Sequence, residues 1–423
     1  MDWNRTLGVA LGLQVFACGD DPPPTASGEG SSSDTTVSSE TDPGGSGPAT
    51  SATTNVADGT GTTGADPDGS TTDEATGTTT GEPPWDGEPL PDGEPGQWQW
   101  VDVEGTECID GSPTGVGVRY GEGDGLVVYF EGGGGCFDLA TCSLFYASFA
   151  NFDETAFDLL VPTLLSSGIF ADVPGNPVRD WSFVYVPYCT GDVHAGAHDD
   201  ADVPGFVGSH QFVGYRNFGL DLERIGPTFA DPSHVLVTGI SAGGYGAAYN
   251  YDRIATAYGY ADIPVTLLDD SGPPMSDDYI PACLQDRWRD LWSLDDTLPA
   301  GCAGCFDSGG WALPMTQYVR AQHPEQTFGL LSNLRDGTIR TFLSAGLNDC
   351  AGGLYLGADY EAGLVELRDD ILGGDPGFGT YYVQGIGHTF LPFGSYESTQ
   401  VSGVYLVDWI DSLLQGNAMH VAP

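Results

Sequence analysis

The segment Val235-Leu236-Val237-Thr238-Gly239-Ile240-Ser241-Ala242-Gly243-Gly244 sets a serine between glycines two residues before and two after it. This G-x-S-x-G spacing suits a nucleophile on a sharp strand-to-helix turn. An apolar strand precedes it and a helix of small residues follows. Ser241 would stand on the turn with its hydroxyl over the helix N-terminus, where developing negative charge is stabilised. The amide of Ala242, the next residue, would be one donor to that charge.

A serine hydroxyl needs a base, and the base needs an orienting carboxylate. In this turn type the chain order is serine, acid, histidine. Of the seven histidines, only His323, His388 and His420 follow Ser241. His420 is at the frayed end of the chain and His323 leaves a helix before a proline. His388 follows a strand within Gly385-Ile386-Gly387-His388, a loop able to present an imidazole, and is the expected base. Asp270, Asp336 and Asp349 are all open as the acid; position alone puts Asp336 slightly ahead of Asp349. The run Glu131-Gly132-Gly133-Gly134-Gly135-Cys136 has amides free of side chains, able to approach an oxyanion about 3 Å away. A phosphate loop is excluded, because no Gly-Lys-Ser/Thr follows and the chain has no lysine.

The elements that must hold these residues are short apolar runs: 126–130, 183–186, 235–238, 265–268, 328–331 and 381–383. They are continuous rather than alternating, as in strands buried on both faces of a parallel sheet. Helical stretches are expected at 217–229, 242–258, 360–372 and 401–414. The alternation implies an α/β fold with a mostly parallel sheet flanked by helices.

The formal net charge is −48, from 60 acidic residues and 12 arginines. Nucleic-acid binding is excluded as a main role, because phosphate neutralisation needs clustered cations. Two polymers make up the chain. Residues 19–97 hold 16 acidic residues, no basic one, one aromatic (Trp85) and one leucine (Leu90). Such a stretch buries too little apolar surface to offset its entropy and is expected to be a tether over 18–97. Globular composition from Trp98 onward predicts one domain over 98–423.

Residues 1–17 are expected to be an export signal, with Arg5 followed by the apolar run Thr6–Ala17, too short to span a membrane. Val15-Phe16-Ala17-Cys18 is similar to a bacterial lipobox, so Cys18 is the expected acylation site and the only membrane link. Export makes the remaining cysteines disulfide candidates: Cys108, Cys136, Cys142, Cys189, Cys283, Cys302, Cys305 and Cys350. Cys136–Cys142 is the best local pairing. A zinc knuckle at Cys302 and Cys305 lacks the second knuckle that a structural site needs. His194 and His198, four apart among aspartates, could bind a metal only on a helix, and this loop gives no helical signal. No metal or cofactor is expected.

Further residues carry a resemblance. Cys108-Ile109-Asp110-Gly111-Ser112-Pro113, the Phe130–Cys136 glycine run with Cys142, Pro187-Tyr188-Cys189-Thr190-Gly191-Asp192 and Gly239–Tyr245 occur in one order. This order resembles the pectin acetylesterase family, which includes the Notum carboxylesterases, over roughly 107–388. The resemblance implies an α/β-hydrolase-like serine esterase without cofactor, with Ser241, Asp336 and His388 as the triad. Asp336 gains from Asn333-Leu334-Arg335-Asp336, although Arg335 replaces a usual tyrosine. The implied oxyanion donors are Gly133, Gly134 and Ala242. The implied reaction removes O-acetyl groups from a glycan through an acyl-enzyme, in an exported and monomeric protein. A lipid or polyester acyl esterase and a non-catalytic surface binding protein are the alternatives.

Overall fold

The computed structural model describes residues 85–144, 149–307 and 309–423. Nine strands form its central sheet. In chain order they are β1 (Trp98–Glu107), β2 (Pro113–Arg119), β3 (Leu126–Phe130), β4 (Ser182–Val186) and β5 (Val235–Ile240). β6 (Val265–Asp270), β7 (Phe328–Asn333), β8 (Phe378–Val383) and β9 (His420–Val421) complete it. Across the sheet the order is β1-β2-β4-β3-β5-β6-β7-β8-β9. β2 pairs antiparallel with β1 and β4, and every pair from β4 to β9 is parallel.

The apolar runs are unbroken because both faces of the sheet are covered. Successive strand residues point to opposite faces. Val128, Phe130, Val235, Val237 and Leu267 enter one core, which the helices Gly214–Thr228 and Ala242–Tyr258 cover. Val127, Tyr129, Leu236 and Leu268 enter a second core, beneath the helix Leu406–Leu414. This is the expected α/β-hydrolase-like arrangement, and all six expected strands are present, each equal to or slightly longer than its apolar run.

The helix after Ser241 has the expected bounds. The helix expected from 401 begins at Leu406, because Gln400–Val401 and Val404–Tyr405 form a small antiparallel pair first. The stretch expected at 360–372 is an α-helix over Gly357–Glu366 that continues as a π turn to Ile371.

The last residues of the expected tether are described. Residues 85–97 pack on the domain, with Leu90 only 3% exposed. The Trp85 ring meets Tyr258 and lies where a side chain at Gly226 would be. Leu90 N donates to Thr228 Oγ1, and Arg224 donates to the carbonyls of Glu88 and Pro89. The expected export segment, Cys18 and the expected tether up to residue 84 lie outside the described residues. Among the described residues no helix is long and apolar enough to cross a membrane.

Four disulfides brace the domain: Cys108–Cys189, Cys136–Cys142, Cys283–Cys350 and Cys302–Cys305. The Cys302–Cys305 pair is thus a disulfide and not half of a zinc site.

Candidate active site

Ser241 follows β5 directly, and the helix begins at Ala242. Its backbone sits at φ 57°, ψ −119°, a conformation that costs a non-glycine residue of order 1–3 kcal/mol. The flanking glycines make the turn possible by close approach. A Cβ on Gly239 would lie 2.3 Å from Gly243 O, and one on Gly243 would lie 2.1 Å from Phe130 O. Ser241 N donates to Asp270 O at 2.7 Å, which anchors the turn to the end of β6.

Asp336 and His388 meet at the ends of β7 and β8. His388 Nδ1 lies 2.7 Å from Asp336 Oδ2. The other carboxylate oxygen accepts from Thr338 N and Ile339 N, capping the helix Gly337–Leu343. Backbone bonds join the two loops: Leu334 N to Val383 O, Arg335 N to Gly385 O and Gly337 N to Ile386 O. With Nδ1–H donated to the carboxylate, Nε2 is left to accept a proton. Burial pushes the His388 pKa down, but the charge and hydrogen bond of Asp336, with the charge of Asp270, outweigh it and the net shift is upward.

The other two acid candidates are placed elsewhere. Asp349 is exposed, in a turn with positive φ. Asp270 is fully buried and its carboxylate accepts from Phe390 N and Leu391 N, two residues and three residues beyond His388. Ser241 Oγ has one hydrogen bond among the described residues, a long 3.5 Å contact to Gly133 O, and none to His388.

The glycine run after β3 crosses beside Ser241. The amides of Gly133, Gly134 and Ala242 donate to no acceptor among the described residues, so they are available to an oxyanion. The loop is held through its other groups. Tyr188 OH donates to Gly134 O at 2.7 Å, Cys136 N donates to Gly191 O, and Trp292 Nε1 donates to Cys136 O. The Glu131 carboxylate accepts from Tyr188 N, and burial raises its pKa to about 7. His194 Nε2 lies 2.9 Å from Glu131 O, and burial holds the His194 pKa down at about 4. The ring is therefore neutral near pH 7, with its Nε2–H donated to that carbonyl. His198 instead points Nδ1 at Leu291 O. The two histidines weighed as metal ligands thus serve separate carbonyls. Tyr188 and His194 as supports of the loop had no sequence signal beyond their nearness to Cys189, and Trp292 had none.

An apolar cavity opens at Ser241. Its walls are Phe137, Val193, Tyr245, Trp288, Trp292, Trp311, Ile339, Phe342 and Leu343, with the glycines 133–135 and Ala242. The helix capped by Asp336 supplies Ile339, Phe342 and Leu343, so the acid and one apolar wall share an element. The helix Ala282–Trp292 supplies Trp288 and Trp292. No group of three or more His, Cys, Asp or Glu among the described residues is placed to hold a metal ion. The arrangement as a whole offers a strained hydroxyl, a half-buried imidazole paired with a fully buried carboxylate, free amides and an apolar chamber.

Comparisons with known proteins bear on the family of the chain. The family model for pectinacetylesterase matches residues 99–334, which include Ser241 and stop short of Asp336 and His388. The palmitoleoyl-protein carboxylesterase NOTUM of Mus musculus is 30% identical over 172 residues, 39% of this chain and 33% of the relative. An inactive palmitoleoyl-protein carboxylesterase, notum1b of Danio rerio, is 31% identical over 105 residues, 24% of this chain and 74% of the relative. The chain thus spans about a third of the length of the mouse relative. The solved structure of the Wnt deacylase Notum from Drosophila superposes with a TM-score of 0.56 at 19% identity, covering 75% of this chain and 94% of that one. At that identity the likeness speaks for the fold. With more than half of its length matched, the chain belongs to the pectinacetylesterase family.

Proposed function

We propose that the protein is a serine carboxylic-ester hydrolase, acting through an acyl-enzyme on Ser241, whose acyl group is an apolar chain. His388 Nε2 takes the Ser241 proton as Oγ bonds to the ester carbonyl. The oxyanion rests on the amides of Gly133, Gly134 and Ala242. The carbonyl–alkoxy bond breaks, and His388 returns the proton to the departing alcohol. Water, giving its proton to His388, then displaces the acyl group as a carboxylic acid, and Ser241 regains its hydrogen. No step draws on a cofactor.

The observation that carries the acyl assignment is the apolar cavity beside Ser241. Its walls are aromatic and aliphatic side chains, the surface against which a hydrocarbon chain is buried. Each methylene buried there contributes up to about 0.8 kcal/mol. The relatives named as palmitoleoyl-protein carboxylesterases point the same way. Removal of O-acetyl groups from a glycan is the second reading, favoured by the family match. Charge weighs against a polyuronate as that glycan, because the chain from Trp98 on carries 43 acidic residues against 11 arginines. The four disulfides support export, and Cys18 is proposed as a lipid anchor for a monomeric enzyme.

The test is Ser241→Ala, expected to abolish both p-nitrophenyl ester hydrolysis and labelling by a fluorophosphonate while the fold persists. Retained activity would remove Ser241 as the nucleophile, and a wild type that neither hydrolyses the ester nor takes the label would leave the non-catalytic reading standing. An ester panel of acetylated pectin, acetylated xylan and acyl esters of increasing length separates the two substrate readings.

A further inference from the structure

The mechanism above leaves one buried carboxylate beside it unused. Asp270 ends β6 and is fully buried, and it is bonded to the segments on both sides of the site. Its carbonyl accepts from Ser241 N at 2.7 Å. Its Oδ2 accepts from Phe390 N at 2.7 Å and Leu391 N at 2.9 Å, residues 120 and 121 positions away in the chain. Its Oδ1 accepts from Ser271 Oγ at 2.9 Å.

Both segments it holds are strained. Ser241 lies at φ 57°, and so does Thr389, the residue between His388 and the clamped amides. A β-branched threonine does not adopt that conformation without support. Leu391 O gives a further anchor by accepting from Ile169 N. Without the clamp, the loop bearing His388 would relax away from the serine turn.

We propose that Asp270 is a positioning residue that fixes His388 relative to Ser241 and, through its negative charge, stabilises the imidazolium formed during acyl transfer. The role rests on the esterase reading given above. The charges around Asp270 are few and identifiable. Asp269 precedes it on β6, Tyr129 faces it from β3, and His388 with its partner Asp336 lies on the loops after β8 and β7. Burial raises the Asp269 pKa to about 8, so that group is neutral near pH 7. Burial raises Asp270 only to about 6, because the Leu391 and Phe390 amides, the Ser271 hydroxyl and His388 favour its charged form. One negative charge therefore remains at this point, on the residue that touches both loops.

The experiment compares Asp270→Ala and Asp270→Asn with wild type and with Ser241→Ala. Rates are expressed per active site titrated with a fluorophosphonate, so that misfolded protein does not count. Asp270→Ala is expected to lower kcat by roughly 10²-fold with little change in KM, the cost of a misplaced base. Asp270→Asn keeps an acceptor for both amides and should recover part of kcat, the rest of the deficit being the lost charge. It removes the charge, so the His388 pKa, followed by NMR of the imidazole nitrogens and assigned with His388→Gln, should fall below the wild-type value. Wild-type kcat per titrated site in Asp270→Ala, or an unchanged His388 pKa in Asp270→Asn, overturns the proposal. Activity persisting in Ser241→Ala overturns the esterase reading itself, an outcome distinct from either.

Discussion

Asp336 divides its carboxylate between two tasks: one oxygen caps the helix that walls the cavity, and the other meets His388 Nδ1 at 2.7 Å. The cap fixes the carboxylate, and the carboxylate fixes the tautomer of the ring. Asp336→Asn should preserve the cap through its amide oxygen while presenting an NH₂ group to Nδ1. The ring proton is then driven to Nε2, where it blocks acceptance of the serine proton. Steady-state assays should show kcat lower by about 10⁴-fold with intact folding by circular dichroism. A loss of less than tenfold would mean that Asp336 is only a helix cap.

The same pair makes a pH prediction. The net upward shift of His388 means that the fold favours imidazolium. Since the base must be neutral to act, the acidic limb of kcat/KM should lie above the ordinary histidine value of 6.5. The stability contribution runs the other way. It is full below the unfolded pKa and is lost as pH rises through the folded pKa. The stability gap between wild type and His388→Gln, from urea unfolding, should therefore be wider at pH 5 than at pH 9. An equal gap at both would refute the favoured-imidazolium account.

Phe342 is half-buried and lines the cavity at the far end of its helix from Asp336. Phe342→Ala should remove apolar contact with a long acyl chain and leave the reacting groups in place. Relative to wild type, kcat/KM for an octanoyl ester should fall about 5- to 30-fold, matching about 1–2 kcal/mol of lost burial. The acetyl ester should change less than about twofold by the same reasoning, since it does not reach that wall. Equal losses for both esters would argue that the cavity does not hold the acyl chain.

How much of this was readable in the sequence follows from burial and distance. β3 to β8 declare themselves because both faces are covered and each carries a run of mostly apolar residues. β1 and β2 do not, since β1 alternates buried and exposed residues at the sheet edge. β2 contains Gly115 and Gly117, which sit where side chains would strike Val101 O and the Phe157 ring. Ser241 is legible because its strain demands local glycines. The choice among Asp270, Asp336 and Asp349 is not, because each follows an element end and only the tertiary fold decides which one faces the imidazole. The cavity has no motif at all: Phe137, Trp288, Trp311 and Phe342 come from separate segments.

The Cys283–Cys350 disulfide ties the helix bearing Trp288 and Trp292 to the segment that follows the helix bearing Ile339 and Phe342. It closes a span of 67 residues, whereas Cys302–Cys305 closes a span of 3. Chain-entropy reasoning then ranks them. Replacing Cys283 and Cys350 by alanine should cost about 2–4 kcal/mol. Replacing Cys302 and Cys305 should cost clearly less. Urea denaturation of the two double variants checks the order. The first should also lose preference for long over short acyl esters, because two cavity walls are no longer joined; a destabilised variant with unchanged chain-length preference would separate the bond from the cavity.

Leu90 and Trp85 are the single leucine and single aromatic of the acidic stretch 19–97, and both pack on the domain. Composition averaged over that stretch conceals them, because two apolar residues cannot alter the mean of a long polar segment. Their effect is local: they fasten the chain across the helix Gly214–Thr228 through Thr228, Arg224 and the space above Gly226. Leu90→Ala should destabilise the domain by about 2 kcal/mol, the low end for a buried leucine, since a segment on the surface can settle into the space left behind. Leu90→Asp should cost more, because it also sets an unpaired charge where a 3%-exposed side chain stood. Activity at saturating ester should be unchanged in the folded fraction, as no bond runs from this segment to Ser241, Asp336 or His388. A chain beginning at Trp98 should reproduce the loss of stability relative to one beginning at Trp85, read as an earlier urea midpoint. Identical midpoints for those two chains would show that residues 85–97 cover the domain without stabilising it.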